Sequence, residues 1–119
     1  MAYNRGDIVE VYFDLPYSKE TKLHPSVIIS NQDVYDADEI YICAMITSSD
    51  QTDQFSFKIT DDMLVNKSKK ITGQVRCHLV TYIKESHVFN GRALNSMKQH
   101  AVNRLVERIS EVSLSEDED

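Results

Sequence analysis

At 119 residues the chain has the length of one domain able to bury its own core, and the absence of any apolar run long enough for a bilayer excludes a protein built on membrane helices. Its two cysteines lie in apolar, strand-like segments with no Cys-x-x-Cys or His-x-x-His spacing, so Cys43 and Cys77 read as reduced core thiols, and neither a disulfide scaffold nor a zinc site is expected. The net charge of −6 excludes a uniformly basic nucleic-acid binder, but five of the acids (Glu111, Glu116, Asp117, Glu118, Asp119) crowd residues 111–119, which leaves residues 1–110 close to neutral.

A strand is predicted over residues 9–13, where β-branched and aromatic side chains suit a pleated surface and Ile8, Val11 and Phe13 alternate with more polar neighbours. Gly6-Asp7 turns the chain into it and Asp14-Leu15-Pro16 ends it, because proline has no N–H for a ladder. A polar loop over residues 17–22 leads to a short buried strand, Val27-Ile28-Ile29. A third strand carries Ile40, Ile42, Ala44 and Ile46 on one face and closes on the hydroxyl cluster Thr47-Ser48-Ser49. Residues 54–59 alternate Phe55, Phe57 and Ile59 with polar positions, as a half-buried fourth strand does. Thr60-Asp61-Asp62 reads as a cap on a single helical turn. Residues 71–83 are strand-like, with Gly73 as a bulge or close-approach point, and Asn90-Gly91 breaks the chain.

From 92 to 109 the apolar positions Leu94, Met97, Ala101, Leu105 and Ile109 recur at helical steps, with Val102 and Val106 beside them. This predicts one long helix that closes the bottom or side of a barrel. Many short strands, one C-terminal helix and no alternating βα units favour a small barrel or roll, mainly β, over residues 1–110. Residues 111–119 read as an acidic, disordered tail. The N-terminus lacks the basic-then-apolar pattern of a signal peptide, so a cytoplasmic location with no membrane partner is expected.

An RNA or DNA partner would need a local basic surface, since binding gains from counter-ion release. Candidates are Lys19, Lys22 and His24 in the first loop, Lys67, Lys69 and Lys70 in the middle, and Arg76. On a strand the side chains of Gln74, Arg76 and His78 share one face, a polar row that suits a groove for a phosphate and a base edge. His87 and His100 have no such context.

Four blocks occur in order: Gly6-Asp7-Ile8-Val9 with Val11 and Phe13-Asp14; Pro25-Ser26-Val27-Ile28-Ile29-Ser30; Ile46-Thr47-Ser48; and Gly73-Gln74-Val75-Arg76. In these blocks, over residues 3–110, the chain resembles the MazF/PemK (Kid-like) toxins of type II toxin–antitoxin modules. The resemblance implies an SH3-like β-barrel with a C-terminal helix, working as a homodimer that cuts single-stranded RNA. It implies no metal or other cofactor, because the ribose 2′-hydroxyl is the nucleophile and a 2′,3′-cyclic phosphate is left. It also implies neutralisation by a cognate antitoxin, with operator DNA a partner only together with that antitoxin.

Such chemistry needs a base for the 2′-hydroxyl, a cation for the phosphorane and an acid for the leaving oxygen. The family pattern assigns central roles to an arginine before the proline of the second strand and to a Thr or Ser closing the third. Thr47 matches the second; at the first the chain reads Lys22-Leu23-His24-Pro25, so His24 stands where the arginine would. Imidazole transfers protons near neutral pH, whereas guanidinium grips phosphate as a permanently charged fork. The catalytic set is therefore His24, Thr47 and Arg76, with Lys19, Lys22, Ser48, Gln74, His78, Lys69 and Lys70 as RNA-binding candidates. Two readings follow: an endoribonuclease with an altered site, or a barrel of the same shape that has lost cleavage and serves as a binding or regulatory module.

Overall fold

The computed structural model describes residues 1–117. Six strands, β1 (Asp7–Phe13), β2 (Lys22–Ile28), β3 (Tyr41–Thr47), β4 (Ser56–Lys58), β5 (Gln74–Ile83) and β6 (Asn95–Ser96), form one sheet in the order β4-β5-β3-β2-β1-β6. Every pairing is antiparallel. The sheet curls into a half-barrel, and two helices, α1 (Gln32–Asp38) and α2 (Gln99–Ile109), complete the fold. It is the barrel-type, mainly β architecture with a C-terminal helix expected from the sequence.

Both faces of the sheet are buried, which explains the strands' dense apolar content. On one face Ile8, Val27, Ala44, Ile46, Val75 and Cys77 pack against Ala101, Val102, Leu105 and Ile109 of α2. These helical positions fall on one stripe at steps of one, three and four. On the other face Val9, Val11, Phe13, Cys43 and Met45 pack with Tyr3, Leu15, Tyr41, Ile83 and Val88. Period-two alternation therefore sorts β3 into two cores: Ala44 and Ile46 face α2, while Cys43 and Met45 face away. Cys43 and Cys77 are both buried free thiols.

The structure departs from the sequence reading in four places. First, α2 begins at Gln99, not at residue 92, because Asn95 and Ser96 pair with Ile8 and Asp7 as a strand and Met97 bridges Leu64. Leu94 and Met97 belong to the same core as the helix, so their spacing imitates helical period without helical backbone. Second, α1 was not anticipated; Asn31 caps it by accepting from the Val34 N–H at 3.3 Å, yet none of its seven residues is buried, so it has no apolar stripe to read. Third, β2 starts at Lys22 and β5 at Gln74, and β4 covers only Ser56–Lys58 of the expected 54–59. Fourth, the chain beyond α2 continues through a π-type turn, Ser110–Leu114. Val112 there packs against the α2 core and the Ser113 hydroxyl donates to the Cys77 carbonyl at 2.8 Å, so part of the expected tail belongs to the folded body. Of that tail, residues 118 and 119 lie outside the described residues.

Two backbone features shape the sheet face opposite α2. Pro25 sits within β2 opposite Glu10, but pairing with β3 begins only at Ser26 opposite Met45. A proline offers no N–H to extend that ladder, so β2 and β3 are unpaired at His24 and Thr47. Gly73, at φ +117, lets the start of β5 come up against the end of β3, and a Cβ there would collide with the Thr47 carbonyl oxygen.

Gly73→Ala is expected to lower stability by more than about 2 kcal/mol in chemical denaturation, since backbone strain and a backbone collision coincide. Gly91 also has positive φ, but nothing lies within 4 Å of its absent Cβ. Gly91→Ala is expected to cost only about 1 kcal/mol.

Candidate functional site

The register of three strands brings residues far apart in sequence onto one face. Thr47 pairs with Gln74 across β3 and β5. Ser26 pairs with Met45, and by the period of two His24 shares the face of Ser26 and Thr47 that of Met45, at the end of the sheet where the two strands are no longer paired. Thr47, Gln74 and Arg76 line a polar cavity of about 260 Å³ floored by Met45 and walled by Tyr17 and by Ser49, Gln51, Thr52 and Asp53 of the β3–β4 connection. His24 lies outside the residues lining that cavity, with its ring edge-on to Phe13 at 6.3 Å between centroids.

The β3–β4 connection is tied down over this face by side chains of β5. The Gln74 amide nitrogen donates to the carbonyls of Ser49 at 3.1 Å and Gln51 at 2.5 Å. Two acceptors on that nitrogen fix which end of the amide points where, and they leave its oxygen, Oε1, buried without a partner. The one other buried side-chain atom without a partner among the described residues is Nε2 of His24. Thr47 Oγ1 accepts from the Ser49 N–H at 3.3 Å, and its own proton remains available to donate.

Arg76 is gripped end-on by Asp53. Nη1 donates to Oδ1 at 2.9 Å and Nη2 to Oδ2 at 2.8 Å, while Nη1 also reaches the Ser56 hydroxyl at 3.2 Å. The arginine side chain is 16% exposed and the aspartate 51%. Hydrogen bonds from Arg76, then from the Phe55 N–H, hold the Asp53 carboxyl well below the usual carboxylate range. The same pairing raises Arg76. Among the residues lining this cavity, then, the only formal charges are these two, and they cancel. Asp53 carries no motif and was not anticipated; the signal available in sequence was its place three residues before Ser56, in an Asx-type turn that closes on β4.

His24 is pushed below its ordinary 6.5 by burial and by the Lys22 charge, partly opposed by the Ile46 backbone, so its imidazole is neutral at pH 7. The expected row of Gln74, Arg76 and His78 breaks at its third member. β5 slips register against β3 between Val75 and Val80, so His78 leaves the face of Arg76 and stacks on Phe55 with centroids 4.2 Å apart. It lines instead a larger groove of about 860 Å³ between the end of β1 and the second half of β5. Burial and then Arg76 lower its pKa. Lys69 and Lys70 line a third cavity with Glu10 and Arg92, and Lys70 reaches Asp61 at 3.4 Å. Lys19, Lys22 and Ser48 are exposed and line none of the three. No helix among the described residues is long and apolar enough to cross a membrane.

The sequence matches the family of PemK-like, MazF-like toxins of type II toxin–antitoxin systems over residues 4–113. Comparison with individual curated proteins gives no match. Among solved structures, the fold is similar to that of MazE–MazF from Deinococcus radiodurans, with a TM-score of 0.69 and 11% identity over 93% of this chain and 95% of that chain. It is also similar to an endoribonuclease in complex with its cognate antitoxin from a mycobacterial species, with a TM-score of 0.66 and 16% identity over 92% and 93% of the two chains. At such identities the likeness is one of fold.

The Asp53–Arg76 pair has a pH signature. A carboxyl lower in the folded than in the unfolded state stabilises fully above its unfolded value, near 3.9, and that contribution disappears as pH falls through the folded value. Urea denaturation followed from pH 6 to pH 2.5 is expected to show a steeper loss of stability below about pH 4 for the wild type than for Asp53→Asn.

Proposed function

The chain belongs to the PemK-like, MazF-like toxin family of type II toxin–antitoxin systems, and from that premise we propose that it is an endoribonuclease that cuts single-stranded RNA by 2′-hydroxyl transesterification and is neutralised by an antitoxin. The observation that carries the reading is the pair of orphaned atoms. Buried polar side-chain atoms are nearly always hydrogen-bonded. Here, on the sheet face that also holds Thr47 and Arg76, Gln74 Oε1 has no partner and His24 Nε2 has none in hydrogen-bond geometry. The Ile46 backbone that raises the imidazole lies near the ring without completing a bond to that nitrogen. A ligand rich in hydroxyl, phosphate and base-edge groups supplies partners for both.

In the proposed reaction the neutral imidazole of His24 takes the proton from the 2′-hydroxyl as its oxygen bonds to phosphorus. The bond from phosphorus to the 5′-oxygen then breaks, and the imidazolium returns the proton to that oxygen, directly or through water. A 2′,3′-cyclic phosphate and a 5′-hydroxyl result. Thr47 donates to a non-bridging phosphate oxygen, and Arg76 stabilises the extra negative charge of the phosphorane. The 2′-hydroxyl is the nucleophile, so DNA is not a substrate. In this reading Ser48, Gln74, Lys19, Lys22, Lys69, Lys70 and His78 are the residues that contact the RNA. A homodimer, with operator DNA bound only beside the antitoxin, completes the reading by analogy to the family.

A second reading has specific support. Asp53 occupies one fork of the Arg76 guanidinium, and Nε2 of His24 is shielded from solvent, so substrate reaches that imidazole nitrogen only after the surrounding chain parts. On that basis the barrel binds RNA or a partner without cutting.

Incubating the purified protein with a 5′-labelled single-stranded RNA decides between them. The nuclease reading expects discrete fragments ending in 2′,3′-cyclic phosphate, with no cleavage where a 2′-deoxynucleotide replaces the scissile residue. His24→Ala, Thr47→Ala and Arg76→Ala are each expected to slow cleavage by about 10²-fold or more, and His100→Ala to leave it unchanged. Intact RNA under all conditions would favour the binding module. The acid limb of the wild-type rate profile is expected below pH 6.5, the ordinary histidine value, because burial and Lys22 lower His24. His24→Arg is expected to lower the rate; a gain would instead mark a site degenerated from the family arginine.

A further inference from the structure

We propose that Asp53 is a positioning residue for cleavage, holding the Arg76 guanidinium by its terminal nitrogens so that its other edge is preset for the scissile phosphate. The inference rests on the nuclease reading above and adds a residue that the family pattern does not contain.

A guanidinium presents five N–H groups in two adjacent forks, and one carboxylate satisfies only one fork. Asp53 takes the end-on fork, Nη1 and Nη2, with Ser56 on the remaining reach of Nη1. No acceptor among the described residues hydrogen-bonds Nε, and Nε is not among the buried atoms left without partners. The edge formed by Nε and the second Nη2 proton is therefore open and has the spacing that accepts two phosphate oxygens.

The carboxylate is itself anchored. It accepts from the Phe55 N–H at 2.9 Å and lies 3.4 Å from the Ser56 hydroxyl, while the backbones of 53 and 56 close on each other through the Asp53 N–H to Ser56 Oγ at 3.0 Å and the Ser56 N–H to the Asp53 carbonyl at 3.2 Å. Ser56 in turn pairs with Arg76 across β4 and β5. The turn and the arginine thus form one closed unit. An arginine held this way has already lost the side-chain freedom that binding would otherwise remove. The same carboxylate opposes an approaching polyanion, so the gain in orientation comes with weaker RNA binding. These two effects separate in kinetics: removing the charge is expected to tighten binding and slow chemistry.

The test compares wild type, Arg76→Ala, Asp53→Asn and Ser56→Ala on one RNA oligonucleotide, with its analogue carrying a 2′-deoxynucleotide at the scissile position as the binding probe. For Asp53→Asn, kcat is expected to fall about tenfold or more, as misplacement of a catalytic group by an ångström does. Its affinity for the deoxy analogue is expected to equal or exceed wild type, with a salt dependence steeper by up to about one phosphate contact, since one cation is released. Ser56→Ala keeps the carboxylate and loses one brace, so a fall in kcat of about two- to fivefold with unchanged KM is expected, and it serves if Asp53→Asn fails to fold. Wild-type kcat in both variants, or faster cleavage by Asp53→Asn, overturns the positioning role while the nuclease reading stands. A wild type that cannot cut RNA, or an Arg76→Ala protein that cuts normally, overturns that reading and this assignment with it.

Discussion

The fold and its candidate site both depend on how closely β5 can start against the end of β3. Gly73 has no side chain where a Cβ would strike the Thr47 carbonyl, and that contact sets Thr47 opposite Gln74. From this register follow the two placements that matter. Val75 and Cys77 enter the core under α2, and Gln74 and Arg76 face the polar cavity. A larger residue at 73 would push the strands apart and release both at once.

The cavity is polar but balanced. Its one cation meets a carboxylate in a two-point pair, and its buried amide spends both protons on the β3–β4 connection. Pairs of this kind fix geometry more dependably than they add stability, because desolvation offsets much of the attraction. What remains unbalanced is small and local: an imidazole nitrogen, an amide oxygen and one edge of a guanidinium. Those atoms share their face with apolar Phe13 and Met45 and with the Thr47 hydroxyl, so a ligand there meets both apolar and hydrogen-bonding surface.

The strands were legible from their β-branched and aromatic content, as in β1; its apolar residues do not form the single series Ile8, Val11 and Phe13, because Ile8 faces α2 while Val9, Val11 and Phe13 enter the opposite core and Tyr12 stays exposed. The start of α2 was not, because Leu94 and Met97 are buried through strand and bridge contacts that share the helix's core. Likewise the short α1 buries none of its residues and leaves no periodic trace. In the site, Thr47, Gln74 and Arg76 were readable as motif and strand face, while His78 was lost to a register slip that no local pattern records.

The sequence by itself determined the class of fold and the kinds of group available, since burial period, turn residues and ordered motif blocks are properties of the chain read along its length. Only the tertiary structure decided that Asp53 holds Arg76 and that His24 and Gln74 carry buried atoms without partners. Such pairings join residues about twenty or more apart through strand register and a loop's path. Those depend on the packing of the whole sheet, and a one-residue slip in any strand would redirect every side chain on it.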